Sequence, residues 1–218
     1  MAYYLTDTPT AGRGRRRLLV TIAVGLIVLV GLALLVWPTG GGSRAAAPAP
    51  AEPALSWALV GEQPVPTSPR AGPAHNDGGV AAGFTHDELG AVLAAVNIAA
   101  RLDVETGPTV YEAVARQQCV GDIDTALAQL RTTRSPAPPV ATVATGYFYR
   151  VDGGDPTTDR VLVTIAADTP QARAAGGYAA FTRTVQWIDG DWRMQVPTTP
   201  ARLIASVATY HPLGVPRV

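Results

Sequence analysis

Residues 143–167, VATGYFYRVDGGDPTTDRVLVTIAA, decide the fold. Val143, Thr145, Tyr147, Tyr149 and Val151 alternate with smaller or polar residues, and Arg160 to Ala167 is β-branched and apolar. Period-two alternation turns one face of a strand toward a core, and branched side chains suit a pleated surface. Between the two runs, DGGDPTTD supplies the glycine, proline and aspartate that reverse a chain. The stretch predicts an antiparallel hairpin.

Downstream the pattern repeats. Tyr178 to Ile188 alternates, with Phe181, Val185 and Trp187 on one face, and Asp189-Gly190 is a two-residue turn signal into Trp192 to Val196. This is a second hairpin, giving a sheet of about four strands. Pro200 to Tyr210 reads equally as a short helix or an extended edge.

Upstream of the break SPAPP, residues 135–139, the period becomes helical. Thr85-His86-Asp87-Glu88 has capping-box form, with Thr85 as the cap and Phe84 and Leu89 as a hydrophobic staple. Leu89, Val92, Leu93, Val96 and Ala100 then form one apolar stripe that ends before Gly107-Pro108. A second helix is predicted from Thr109 to Cys119, and a third from the cap Asp122 to Leu130. Trp57, Leu59, Val60 and Val65, in a turn-rich stretch before the first helix, are costly to expose and should drape over the domain. Helices followed by antiparallel strands predict an α+β domain with about three helices on a curved sheet.

Further upstream the chain changes character. Leu18 to Trp37, LLVTIAVGLIVLVGLALLVW, carries no charge and follows Arg13, Arg15, Arg16 and Arg17. At ~1.5 Å rise per residue such a helix reaches ~30 Å, one hydrocarbon core. The arginines keep residues 1–17 cytoplasmic, Trp37 suits an interfacial anchor, and the domain faces outward, in contact with membrane lipid at its tether. The rival reading is a cleaved signal peptide ending near Ala45-Ala46-Ala47, but an apolar region this long favours an uncleaved span. Pro38 to Ala54, rich in Pro, Ala and Gly, is a linker of up to ~50 Å. Residues 55–218 hold about 160 positions, enough for one core.

Composition narrows function. All 17 basic residues are arginine, and four of them precede the span, which leaves the outer part mildly acidic. No basic stripe marks a nucleic-acid surface, so direct nucleic-acid binding is not expected. Cys119 is the one cysteine, so no internal disulfide staples the domain, and a buried thiol is expected. His75, His86 and His211 lack zinc-site spacing, and neither GxSxG nor a phosphate-binding glycine loop is present. Asp152, Asp155 and Asp159 lack the spacing of a calcium loop. No catalytic, cofactor-binding or metal-ligating residue is assigned, and no cofactor.

Trp57 to Pro66 (WALVGEQPVP), Gly83-Phe84-Thr85-His86, Gly90 to Asn97 (GAVLAAVN) and Trp187 to Trp192 (WIDGDW) resemble small bitopic membrane proteins encoded with conjugative elements of GC-rich Gram-positive bacteria. The order of elements resembles the nuclear-transport-factor-2-like fold, used by scaffold proteins of type IV secretion and conjugative transfer machines. The resemblance implies a structural or assembly role through protein–protein contacts, with other membrane proteins of a transfer complex or copies of itself as partners. It carries over no catalytic residue.

Two other classes compete. A concave sheet of this kind can hold a pocket with an acid or base, for which Tyr147, Tyr149, Tyr178 and Asp103 are the places to look. An outward domain could instead bind a ligand or cell-envelope glycan through Trp187 and Trp192, although tryptophans flanking a tight turn also pair across a hairpin.

Overall fold

A computed structural model of the chain describes residues 55–133, 139–155 and 157–216. The span expected at Leu18–Trp37, its arginines and the linker lie outside the described residues. Among the described residues no helix is long and apolar enough to cross a membrane. All described elements fall in one unit, Pro50–Val218.

The described residues open with two hairpins, β1 (Ser56–Val60) with β2 (Gln63–Thr67) and β3 (His75–Asp77) with β4 (Val80–Ala82). Three helices follow: α1 (Glu88–Arg101), α2 (Pro108–Gln118) and α3 (Ile123–Thr132), with β5 (Cys119–Gly121) between the last two. After the short α4 (Pro139–Thr142) come β6 (Gly146–Gly154), β7 (Arg160–Asp168), the one-turn α5 (Pro170–Ala174), β8 (Tyr178–Ile188), β9 (Asp191–Val196), β10 (Arg202–Ile204) and β11 (His211–Gly214). The main sheet runs β11-β6-β7-β8-β9-β5, and β10 also pairs with β8.

The expected nuclear-transport-factor-2-like domain, three helices on about four strands, is therefore corrected. The domain is α+β but richer in sheet, with seven strands in the main sheet and two further hairpins ahead of α1. The missed strands are short or broken by proline. β5, β10 and β11 have three or four residues, too few to display alternation, and β2 reads Gln-Pro-Val-Pro-Thr. β5 pairs with β9 in parallel, Cys119 opposite Met194, a contact that no local pattern announces.

The two expected hairpins are present. β6 and β7 pair in antiparallel register with Tyr149 opposite Ile165, and a bulge lies between Val151 and Gly153. The β8–β9 turn places Asp189 and Gly190 both at positive φ, 54° and 82°, the mirror-image turn that fits the strand twist.

The start of α1 differs from expectation. Asp87 is the cap, its carboxylate accepting from the Gly90 amide at 2.7 Å and from the Thr85 hydroxyl at 2.9 Å. Glu88 instead accepts from the Tyr149 hydroxyl at 3.1 Å. Asp satisfies the orphan amides as well as Thr would, and its charge suits the helix N-terminus. Gly90 is the residue that lets this corner close, because a β-carbon there would overlap the Thr85 carbonyl.

α1 is the centre of the core. Gly90 to Ile98 is buried all round, since the helix lies between the sheet and the two early hairpins. Register places Tyr147, Tyr149, Val151, Val161, Val163, Ile165, Phe181, Arg183, Val185 and Trp187 on the face toward α1.

Candidate functional site

The helix-facing side of the sheet is filled at one end and hollow at the other. At the filled end Trp192 is 0% exposed, and its indole N–H donates to the Thr85 carbonyl at 2.8 Å. Trp187 meets Trp192 edge-on at 5.3 Å, and His86 stacks on Trp187 at 4.3 Å. Asp191 gathers three amides: Gly83 at 2.8 Å, Phe84 at 3.1 Å and Trp192 at 2.9 Å. This cluster fastens the start of α1 to the β8–β9 turn. The two tryptophans proposed as a glycan platform are thus cross-strand partners, Trp192 in the core and Trp187 half-buried beneath His86.

At the other end lies a cavity of about 610 Å³, within the range that accepts a small molecule. Its floor is Tyr147, Ala167, Ala179, Phe181 and Arg183 of the sheet. Val96, Ala99 and Ala100 of α1 form the opposite wall, and the β1–β2 turn, Val60 to Gln63, closes one side. Gln63 pins that turn in place, donating to the Thr142 carbonyl at 3.1 Å and accepting from the Ala144 amide at 3.3 Å. Glu62, Asp103 and Glu105 stand exposed at the rim.

Two polar groups mark the interior. Tyr147 is 5% exposed, stacks on Trp57 at 5.8 Å, and its hydroxyl bonds to no described residue. Burial raises its pKa, so the phenol keeps its proton and serves as a donor. Arg183 is held by carbonyls alone, donating from Nη1 to Thr182 at 3.0 Å and Thr199 at 3.1 Å, with the Phe181 ring 4.9 Å from its guanidinium carbon. Its Nε is buried and bonded to nothing. Burial pulls its pKa down to about 10, still far above neutrality, so it remains a cation.

The gap that receives Arg183 is a product of topology. β9 begins its pairing at Val185 and β10 at Ala180, so Phe181 to Thr184 of β8 lack a strand on that side. The departing chain places the Thr199 carbonyl there instead of a carboxylate.

Of the tyrosines expected near a pocket, only Tyr147 lines the cavity. Tyr149 shares its face but turns toward Glu88 and meets the His211 ring at a tilt, 5.4 Å between centroids, and its pKa is pushed up to about 12, mainly by burial. Tyr178 lies on the opposite face, edge-on to Phe148 at 5.6 Å. Asp103 is on the rim. Arg183 was not anticipated, yet the signal was present: it shares the parity of Phe181, Val185 and Trp187, a cation on an apolar face.

Among the described residues no cluster of three metal-ligating side chains occurs. Asp152 bonds Arg150 and the Thr164 hydroxyl, Asp155 caps its own turn through the Thr157 amide, and Asp159 sits 3.8 Å from His86. Cys119 is buried and unpaired, with its thiol pushed up to about 12 by burial.

These features define an α+β domain whose helix-facing sheet surface is packed at one end and hollow at the other. The chain belongs to the family described as a domain of unknown function, DUF8175, whose model matches residues 36–212. No curated protein and no solved structure is similar enough to match.

Proposed function

We propose that this chain is a membrane-tethered binding module that takes a small ligand into the Tyr147–Arg183 cavity. The cavity itself carries the reading. Side chains are small on both walls, from Ala99 and Ala100 to Ala167 and Ala179, although a larger residue at any of these positions would fill space and add contacts. Its interior polar groups, a protonated phenol and a guanidinium, are suited to hold a ligand rather than to move protons near pH 7. The tether rests on the charge-free stretch Leu18–Trp37 beside four arginines.

Native mass spectrometry of the full chain from nanodiscs tests this reading. A small-molecule adduct is expected on the wild type and absent from Ala100→Phe. An adduct that persists in the filled variant places the ligand elsewhere.

A second reading is assembly within a conjugative transfer or secretion apparatus. It rests on the resemblance of the chain and on strand β11, which among the described residues pairs with β6 alone and leaves an edge for strand addition. Transfer frequency from a donor lacking the protein tests it: restoration by the tethered chain and not by the released domain supports this reading, and unaffected transfer removes it.

A further inference from the structure

Among the described residues Arg183 is a cation without a counter-charge. Every hydrogen bond it makes with them ends on a neutral carbonyl, and neither Asp103 nor any other described acid forms an ion pair with it. A half-buried guanidinium is normally paired, because desolvation without compensation is unfavourable. The more exposed arginines pair with carboxylates, Arg150 with Asp152, Arg173 with Asp168 and Arg131 with Glu112, whereas the buried Arg101 is held by neutral oxygens of Asn97; Arg183 differs from Arg101 in lining a cavity. Among the described residues that line the cavity Arg183 is also the sole cation, and its Nε remains unused.

The rim is charged the other way. Glu62, Asp103 and Glu105 oppose any second negative group at the mouth. Tyr147 marks the far end of the floor. Register aligns Tyr147 with Ala167 and Ala179, and Arg183 lies four residues further along β8, so about 16 Å separates the two backbones at ordinary strand spacings. The floor between them is alanine and phenylalanine.

We infer that the cavity ligand is an elongated amphipathic monoanion, one carboxylate or phosphate ester on an apolar body, with its anionic group on Arg183 and its body along the alanine floor toward Tyr147. The inference rests on the binding reading above and adds the ligand's class. A guanidinium offers paired donors that match a carboxylate or phosphate, and a site of low polarity strengthens that contact. The same chemistry is carried by a bilayer lipid and by a soluble acid.

Calorimetric titration of the full chain in phosphatidylcholine nanodiscs, with empty nanodiscs subtracted, decides the matter. The probes are octanoate, octan-1-ol and octanedioate. Octanoate is expected to bind at least tenfold more tightly than octan-1-ol, and octanedioate more weakly than octanoate because its second charge would be desolvated on the apolar floor toward Tyr147. Arg183→Gln should lower octanoate to the level of octan-1-ol, and Arg183→Lys should restore part of the difference. Equal binding of octanoate and octan-1-ol by the wild type, or octanoate binding unchanged in R183Q, overturns the anion inference while the cavity reading stands, provided that Ala100→Phe still abolishes octan-1-ol binding. Absence of binding by all three probes removes the cavity reading with it. In nanodiscs containing phosphatidylglycerol, weakened octanoate binding assigns a lipid source, and unchanged binding assigns a soluble acid.

Discussion

The two ends of the helix-facing side of the sheet share strands β7 and β8 and helix α1, and they differ in side-chain size and in how charge is met. At the packed end Val92 and Leu93 of α1 and Val161, Val185, Trp192 and Met194 of the sheet are all buried. At the open end α1 presents Ala99 and Ala100 to Ala167 and Ala179. Asp191 at the packed end meets three backbone amides, whereas Arg183 at the open end keeps a donor unused. One end is packed and the other hollow, with occupancy by a ligand as the proposed use of the second, and substitutions should separate the two.

The largest effect is expected at Trp192. Truncation to alanine empties the centre of the packed end and strands the Thr85 carbonyl, for a loss of about 3–5 kcal/mol. Chemical denaturation of the full chain followed by circular dichroism reads this directly. A loss below about 1 kcal/mol would mean that the packed end is not where stability resides.

Asp191→Ala comes next. It leaves the amides of Gly83, Phe84 and Trp192 without their acceptor, and about 2–3 kcal/mol should go with it. Asp191→Asn, which keeps one acceptor oxygen, should recover part of that loss. If the alanine variant unfolds at the same denaturant concentration as the wild type, the corner is held by packing alone.

Alkaline pH probes the packed side through Cys119. Burial raises this thiol from 9.0 to about 12, so the folded state holds its proton longer than the unfolded chain does. The stability tied to that proton is therefore complete below pH 9 and declines as pH rises toward 12. Cys119→Ala should flatten the first part of the alkaline limb in a series of unfolding midpoints. The raised phenol pKa values of Tyr147 and Tyr149 act in the same direction from about pH 10 upward, so a limb unaltered in the variant would assign the whole decline to them.

The packed end was far more legible in the sequence than the open one. Alternation in β6 to β9, the stripe on α1 and the Asp189-Gly190 turn are local signals, and each forecast an element that the fold contains. Trp187 and Trp192 were also read as cross-strand partners. The cavity had no such signature, because alanine is abundant throughout this chain and a small residue facing another small residue depends on tertiary contact. The short strands β5, β10 and β11 were hidden for the same reason: their partners lie far along the chain. Arg183 was legible in principle, since parity alone put it on the apolar face, but large apolar neighbours at 181, 185 and 187 dominated the reading. Leu18–Trp37 stands apart, its reading resting on hydropathy and charge alone.

At the open end the effects on stability should be small and those on binding large. Ala100→Phe introduces a ring into existing space, and the gain in contact offsets the strain, so a change within about 1 kcal/mol is expected. Ligand binding should disappear. A variant that loses several kcal/mol would show that this wall is tightly packed rather than hollow.

The smallest effect on stability is expected for Arg183→Gln, and its sign is informative. Burial lowers the pKa of this guanidinium to about 10, which means that the folded state disfavours the charge relative to the unfolded chain. That penalty is present in full below pH 10. It is relieved as pH rises from 10 toward the ordinary guanidinium value, because the folded state releases the proton first and the unfolded chain binds more protons in that interval. Glutamine removes the charge but also the bonds to the Thr182 and Thr199 carbonyls, two opposing contributions that leave a net change within about 1 kcal/mol. At pH 7 the unfolding midpoint of R183Q should therefore match or slightly exceed that of the wild type while octanoate binding falls. A marked loss of stability would instead make Arg183 a structural strut, part of the packed architecture after all, and would erase the distinction between the two ends at the residue that defines it most sharply.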